Sequence, residues 1–286
     1  MATTIFLVNP REGAVTPPSY LLDTYSAAAA YSLRQLKTGV TSVVRVRRSS
    51  DNRESDFTAT EITDGTLTGF CGGGDGFVVQ WIDQSGNNYH QNQTSATSQP
   101  KLVSSGSLLT LNSIGAIQFD GSNDYLTRGA SLNELHSNDI SWSYVANNEA
   151  NNVAGQVFSN RQTSGSNIGW LSVIDRRTNR LHTFADEGAT STAYTNLATD
   201  NTNSQRLQSF FLDGSNNGEA FLNGSSQSTA TLGASITTGG NFDLGRQALG
   251  SSYLNGYIQE VIIWAVDESA NRTDIESNIN THYGIY

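Results

Sequence analysis

The sequence predicts an all-β protein, a two-sheet antiparallel sandwich with one N-terminal helix and a short C-terminal helix. Three observations predict it. Short runs rich in Val, Ile, Phe, Tyr and Trp recur at hairpin-sized intervals, separated by clusters of Gly, Asn and Asp. Four phrases join such a run directly to a turn: Gly76–Tyr89 (GFVVQWIDQSGNNY), Ala116–Leu126 (AIQFDGSNDYL), Glu219–Gly224 (EAFLNG) and Leu254–Trp264 (LNGYIQEVIIW). Charged residues make up only 15% of the chain, and Ser, Thr, Asn and Gln take their place, as outward strand positions and turns require.

In chain order, residues 1–20 read as an N-terminal docking arm. The apolar run Ile5–Val8 meets Pro10, and Pro17-Pro18 continue neither helix nor ladder. Such an arm pins to its own domain or to a neighbouring subunit. The sandwich domain then spans residues 21–286. Asp23–Thr38 predicts the N-terminal helix, with Asp23 as cap, Ala27–Ala30 as helix formers, Ala29, Leu33 and Leu36 as apolar face, and Gly39 at the end. Thr41–Arg48 alternates, Val44 and Val46 on one face and Arg45 and Arg47 on the other, with Asp51, Glu54 and Asp56 as surface partners for the arginines.

Gly72–Gly76 lacks the Lys-Ser/Thr of a phosphate loop and reads as a tight turn feeding the strand Phe77–Ile82. Further strands are expected at Ala116–Phe119, Ile140–Ala146, Gln156–Ser159, Gly169–Ile174, Arg180–Phe184, Leu207–Leu212, Glu219–Leu222, Asn241–Leu244 and Tyr257–Val266. A last helix, capped by Ser269, sets Ile275 and Ile279 one turn apart on one face.

Composition narrows the function classes. A net charge of −10 disfavours non-specific phosphate contact, so no nucleic-acid partner is expected. Cys71 is the only cysteine, which excludes an internal disulfide. No run approaches the ~20 apolar residues needed to cross a bilayer, so no membrane insertion is expected. The N-terminus has no basic start and too short an apolar run for a signal peptide, so synthesis in a cytoplasm without an export signal is expected.

The four phrases, in their order and spacing, resemble the concanavalin A-like, laminin-G-like jelly-roll superfamily over about Asp23 to Tyr286. FDGSNDYL looks like its early strand-and-turn signature and EAFLNG like its Asn-Gly hairpin. Gly256–Tyr286, with Arg272 near the start of a short helix, looks like its closing element. A narrower resemblance covers the first third: AAAYSLRQL, RVRRSSDN and WIDQSGN are similar to the front of the fungal arabinofuranosidase B catalytic domain, and to segments of phage and bacterial surface proteins.

The resemblance raises the question of catalysis. A retaining glycosidase needs two carboxyls ~5–5.5 Å apart. The arabinofuranosidase pattern implies a nucleophile in a cysteine-rich segment followed by Gly-Asn-Ala-Glu; no such segment exists here, and Val153–Arg161 contains no carboxylate. No catalytic residue is carried over. Asp83 matches the family phrase, and its expected role is to bond backbone amides in a turn. His90, His136, His182 and His282 show no metal-ligand spacing, and Cys71 lacks the setting of a nucleophile.

Binding sites are the remaining candidates. The superfamily commonly binds sugar beside calcium, and Asp120, Asn123 and Asp124 offer loop oxygens for a Ca²⁺ ion; the rival and preferred reading is a self-bonding Asx turn. Asp213–Gly218 begins like a calcium loop, but Gly224 stands at its twelfth position, so it reads as a hairpin turn. Trp170, Arg176 and His182 lie on one predicted hairpin, either as a sugar platform or as core and solvated surface.

These readings converge on a non-enzymatic structural or adhesive protein at a virion surface: a phage capsid decoration, head fibre or tail-associated subunit. It is expected to form a homo-oligomer, to contact other virion proteins through its arm, and to face host surface glycan. The alternatives are a glycoside hydrolase of arabinofuranosidase type and a free soluble lectin.

Overall fold

The computed structural model describes residues 20–137, 139–150, 153–161, 168–177, 203–247 and 252–286, and the strands Arg180–Glu187 and Ser191–Asn196 by their backbone. The expected arm therefore lies outside the described residues except for Tyr20.

Every strand pairing among these residues is antiparallel. The first layer is organised by the long strand Asn255–Trp264. Ile117–Asp120 and Ala29–Ser32 share one of its edges, and Ile140–Ala146 takes the other. Arg206–Leu212, Asn217–Leu222 and Ser225–Thr231 follow in order. The second layer starts at Glu54–Phe57 and runs through Val44–Arg48, Gly76–Trp81 and the short strands Gln91–Asn92, Leu126–Thr127 and Asp243–Leu244. It continues through Ala154–Ser159, Ile168–Asp175, Arg180–Glu187 and Ser191–Asn196. Lys101–Ser104 pairs with strands of both layers and joins them at one side.

The core between the layers follows from alternation. In the run ISWSYVA, Ile140, Trp142 and Tyr144 point into the main apolar cluster, and Ser141 and Ser143 point away. Trp142 meets Phe158 and Trp170 of the opposite layer edge-on, with ring centroids 5.4 and 5.0 Å apart, and stacks on Phe210 of its own layer at 4.3 Å. Each such ring contributes roughly 1.5–3 kcal/mol by burial alone. The outer face of the first layer is covered by the helix Arg272–Tyr283, whose Ile275, Ile279 and Tyr283 pack on Ala30, Val145, Ile262 and Trp264. Strands at the middle of this layer are thus buried on both faces.

The turns obey their residue types. Asn223 and Gly224 both have positive φ (48° and 77°), the two-residue loop that matches strand twist between Asn217–Leu222 and Ser225–Thr231. Asp213 accepts the amides of Ser215 and Asn217 at 2.9 and 2.8 Å, closing the hairpin expected there.

Two expectations are corrected. Asp23–Thr38 is not a helix: a single turn, Leu21–Thr24, is followed by the strand Ala29–Ser32. The small residues that favour a helix are needed because the strand is buried on both faces, Ala29 and Tyr31 toward the core and Ala30 toward the C-terminal helix. Tertiary packing overrides propensity here. Asp23 instead accepts the Thr38 amide and hydroxyl at 3.0 and 2.6 Å, tying the ends of the segment together. Arg47 does not share the surface with Arg45. It is buried against Phe77, 4.8 Å from the ring centroid, and bonds Gln99 and Asn52. Arg45 pairs with Asp56 and Arg48 with Asp51 at the surface. The helices Ala59–Thr63 and Thr66–Cys71 were not foreseen; Thr58 and Glu61 form a capping box at the first of them.

Candidate functional site

Asp83, in the phrase WIDQSGN, is a structural hub. One carboxylate oxygen accepts the amides of Ala30 (2.9 Å) and Ser85 (3.0 Å), and the other accepts the Tyr89 amide and the Ser85 hydroxyl. Its own amide donates to the ring nitrogen of His90. The adjacent Gln84 side chain bonds Leu36, Ser32 and Arg34, so this buried turn sews the Ala29–Ser32 strand in place.

The loop after Ile117–Asp120 is likewise committed to itself. One Asp120 oxygen accepts the amides of Ser122, Asn123 and Asp124, and Asp124 accepts the Asp120 amide in return. Burial, and then the neighbouring Asp120 charge, push the Asp124 carboxyl up to about 7. The Asx-turn arrangement is the one seen, and among the described residues no group of three His, Cys, Asp or Glu is placed to hold a metal ion.

Trp170, Arg176 and His182 are not gathered on one face. Trp170 is fully buried in the core, its indole N–H donating to the Leu135 carbonyl at 3.0 Å, so its ring presents no surface to a ligand. Arg176 is buried and donates to the carbonyls of Asn148 and Glu149, bracing that loop. His182 lies opposite Val173 in the ladder, and its side chain lies outside the described residues. Alternation in this hairpin could not be read in advance because both faces carry polar and apolar residues.

The register assembles a different set. Trp81, Leu126, Leu244 and Phe158 face the core, so their neighbours Gln80, Thr127, Asp243 and Ser159 face the opposite side of the second layer. Pairing aligns Gln80 with Asn92, Asn92 with Thr127, Thr127 with Asp243, and Asp243 with Ser159: one polar row across five strands. The Gln80 amide donates to Asn92 at 2.8 Å. Tyr125, two residues before Thr127, carries the Arg246 guanidinium 3.3 Å from its ring centroid, and Arg246 pairs with Asp243 at 2.8 Å. Burial raises the Asp243 carboxyl above the usual carboxylate range, while the Thr127 hydroxyl and Arg246 oppose that shift. Asp243 and Ser159 are fully buried, and Gln80, Asn92, Tyr125, Thr127 and Arg246 are half-buried, so only the latter can meet a ligand. An aromatic ring flanked by guanidinium, amide and hydroxyl groups suits a polyhydroxylated one. No sequence signal links these residues, because only ladder register makes them neighbours.

Grooves flank the first layer among the described residues. One, of about 390 Å³, is lined by Asp213, Glu219 and Asp267, with Phe211 among its walls. Its acids are engaged: Asp213 in its turn, Asp267 with Ser269, and Glu219 with the Ser226 hydroxyl. Another, of about 570 Å³, lies beside the C-terminal helix. Leu33, Ile62, Leu108 and Ile114 line it, with Tyr20 and Arg34 also in its wall and no carboxylate in its lining.

The architecture has known counterparts. It is similar to a crystal structure of an arabinofuranosidase complexed with arabinofuranosyl-α-1,2-xylobiose (TM-score 0.68, 15% identity, 88% of this chain and 62% of that one). It is also similar to a GH54 α-L-arabinofuranosidase soaked with a cyclic sulfate inhibitor (TM-score 0.67, 14% identity, the same coverage). The receptor binding domain of botulinum neurotoxin D matches more loosely (TM-score 0.50, 13% identity, 71% of this chain and 49% of that one). This chain thus spans 62% of the arabinofuranosidases it matches. At these identities the likeness shows the fold, an all-β sandwich. No protein-family model matches the chain, and no curated protein matches it.

Proposed function

We propose that this chain is a non-catalytic, saccharide-binding β-sandwich that serves as a structural or adhesive subunit at the surface of a phage particle. The observation that carries the binding half is the row from Gln80 to Ser159 with Arg246 stacked on Tyr125. Its half-buried members supply planar donors and acceptors beside a ring, and its single carboxylate is buried and paired with arginine. The assembly half rests on the resemblance of the front segment to phage structural proteins and on a polar surface with only two lysines. In this reading residues 1–20 contact other virion proteins, the subunit is a homo-oligomer, and the sandwich grips host glycan.

A glycan array, run with calcium and with chelator, tests the binding half. Binding should appear and should weaken at least tenfold in Tyr125→Ala; an array blank in both conditions removes the adhesive role. Sedimentation of the wild-type chain tests the assembly half, since a lone monomer that binds sugar is a free lectin.

A glycoside hydrolase is the second reading, favoured by the raised carboxyl of Asp243 within that same row. It requires a partner carboxyl ~5–5.5 Å away for retention or ~6.5–9.5 Å for inversion. Release of reducing sugar from arabinose-containing polysaccharide, abolished in Asp243→Asn, would establish it over the non-catalytic reading.

A further inference from the structure

We infer that the Arg246 guanidinium reads a carboxylate on the bound saccharide, so that the polar row receives an acidic sugar of uronate type. This rests on the saccharide-binding reading above and names the ligand class of that site. Three observations around Arg246 carry it. Its Nε donates to the Asp243 carboxylate at 2.8 Å, and neither terminal nitrogen donates to a partner among the described residues. Its side chain is only 17% exposed. Its guanidinium lies 3.3 Å from the Tyr125 ring centroid, which holds it in place and covers that face of the ring. A ligand arriving there meets the fork of the arginine rather than the ring beneath it.

Other deeply set arginines spend their forks inside the fold. Arg34 bonds Glu260 twice and Asn278 once, and Arg47 bonds Gln99, Asn52 and the Ala96 carbonyl. Arg246 keeps two terminal N–H groups unspent where little water reaches them, and unmet charged donors are costly. A carboxylate satisfies both at once, since its two oxygens match the planar fork in parallel bonds. Asp243 is fully buried, so it holds the guanidinium from beneath without touching the sugar and is a positioning residue. Thr127 and Asn92 continue the row at the strand spacing of ~4.8 Å, offering a hydroxyl and an amide to the sugar's own hydroxyls. The net charge of −10 repels anions at long range. At about 0.15 M salt that field fades within ~8 Å, whereas the direct bonds persist.

Calorimetric titration of the full-length chain tests this. The probes are glucuronate- and galacturonate-containing oligosaccharides, their methyl esters, and neutral oligosaccharides carrying sulfate esters. At neutral pH the wild type should bind at least one free acid roughly tenfold more tightly than its methyl ester, as one charged hydrogen bond requires. Arg246→Lys keeps the charge but not the fork, and should cut that ratio to about threefold or less. Equal affinity for acid and ester in the wild type overturns the inference without any variant, and leaves the saccharide reading standing if neutral glycans bind. A preference for sulfate over uronate, or a ratio that survives Arg246→Lys, overturns it too. A wild type that binds neither acid, ester nor neutral glycan removes the saccharide reading with it.

Discussion

Arg34 and Glu260, 226 positions apart, form a two-bonded ion pair beneath the C-terminal helix, with nitrogen–oxygen distances of 2.8 and 2.9 Å. The pair exists because Ala29–Ser32 lies against Asn255–Trp264 with Ser32 opposite Glu260. Arg34 donates also to Asn278, and the Tyr283 hydroxyl lies 3.1 Å from the same carboxylate. First strand, last strand and last helix are thereby locked at one point.

Glu260→Gln should therefore be costly. The Glu260 side chain is fully buried and that of Arg34 is 14% exposed, so the substitution strands a guanidinium with little access to water. A loss of about 3–5 kcal/mol is expected, read from urea or guanidinium midpoints. A loss below ~1 kcal/mol would mean that the arginine escapes to solvent and that the lock is not needed.

Asp83→Asn tests the turn hub. Two oxygens now receive three amides and a hydroxyl. An amide nitrogen in place of one oxygen would face backbone N–H groups without a proton acceptor. Charged hydrogen bonds contribute ~1.5–3 kcal/mol each, so destabilisation by roughly that amount or more is expected. Hydrogen exchange should show faster opening at Ala30 and Tyr89 before other core amides.

Stability should depend on pH through Asp124. Its folded value, about 7, lies above the ordinary 3.8, so the folded chain holds a proton that the unfolded chain has already released between these limits. Stability from this group is greatest below about pH 4 and falls as pH rises toward about 7. Asp124→Asn keeps an oxygen for the Asp120 amide and has no proton to lose. It should match the wild type near pH 4 and exceed it at pH 8; midpoints that stay parallel across this window would refute the claim.

Gly245→Ala should be severe. Its φ is +80°, and a Cβ there would run into the Phe119 ring. The left-handed backbone costs ~1–2 kcal/mol and overpacking ~1–3 kcal/mol more. Thermal unfolding of the variant checks this, and a loss within ~0.5 kcal/mol would show that Phe119 can move aside.

Much of the fold was legible because the signals are local. Alternation in Ile140–Ala146, the Asn-Gly turn at Asn223-Gly224 and the spacing of Ile275 and Ile279 each declare their element within a few residues. Asp83 and Asp120 were legible as turn residues for the same reason, since Ser85 and Tyr89 for the one and Ser122 to Asp124 for the other lie nearby in sequence. The bond from the Ala30 amide to Asp83 was not. Ala29–Ser32 was misread because its pairing strand and the helix over its outer face come from residues more than two hundred positions away.

The amino-acid order by itself determined an antiparallel all-β sandwich, its turns and its closing helix, through contacts that span only short stretches of chain. The tertiary structure alone decided that Trp170 is core, that Arg34 answers Glu260, and that Tyr125, Asp243 and Arg246 come together. The physical reason is register. Which side chains become neighbours across a sheet depends on how distant strands align, and a shift of one residue exchanges the two faces.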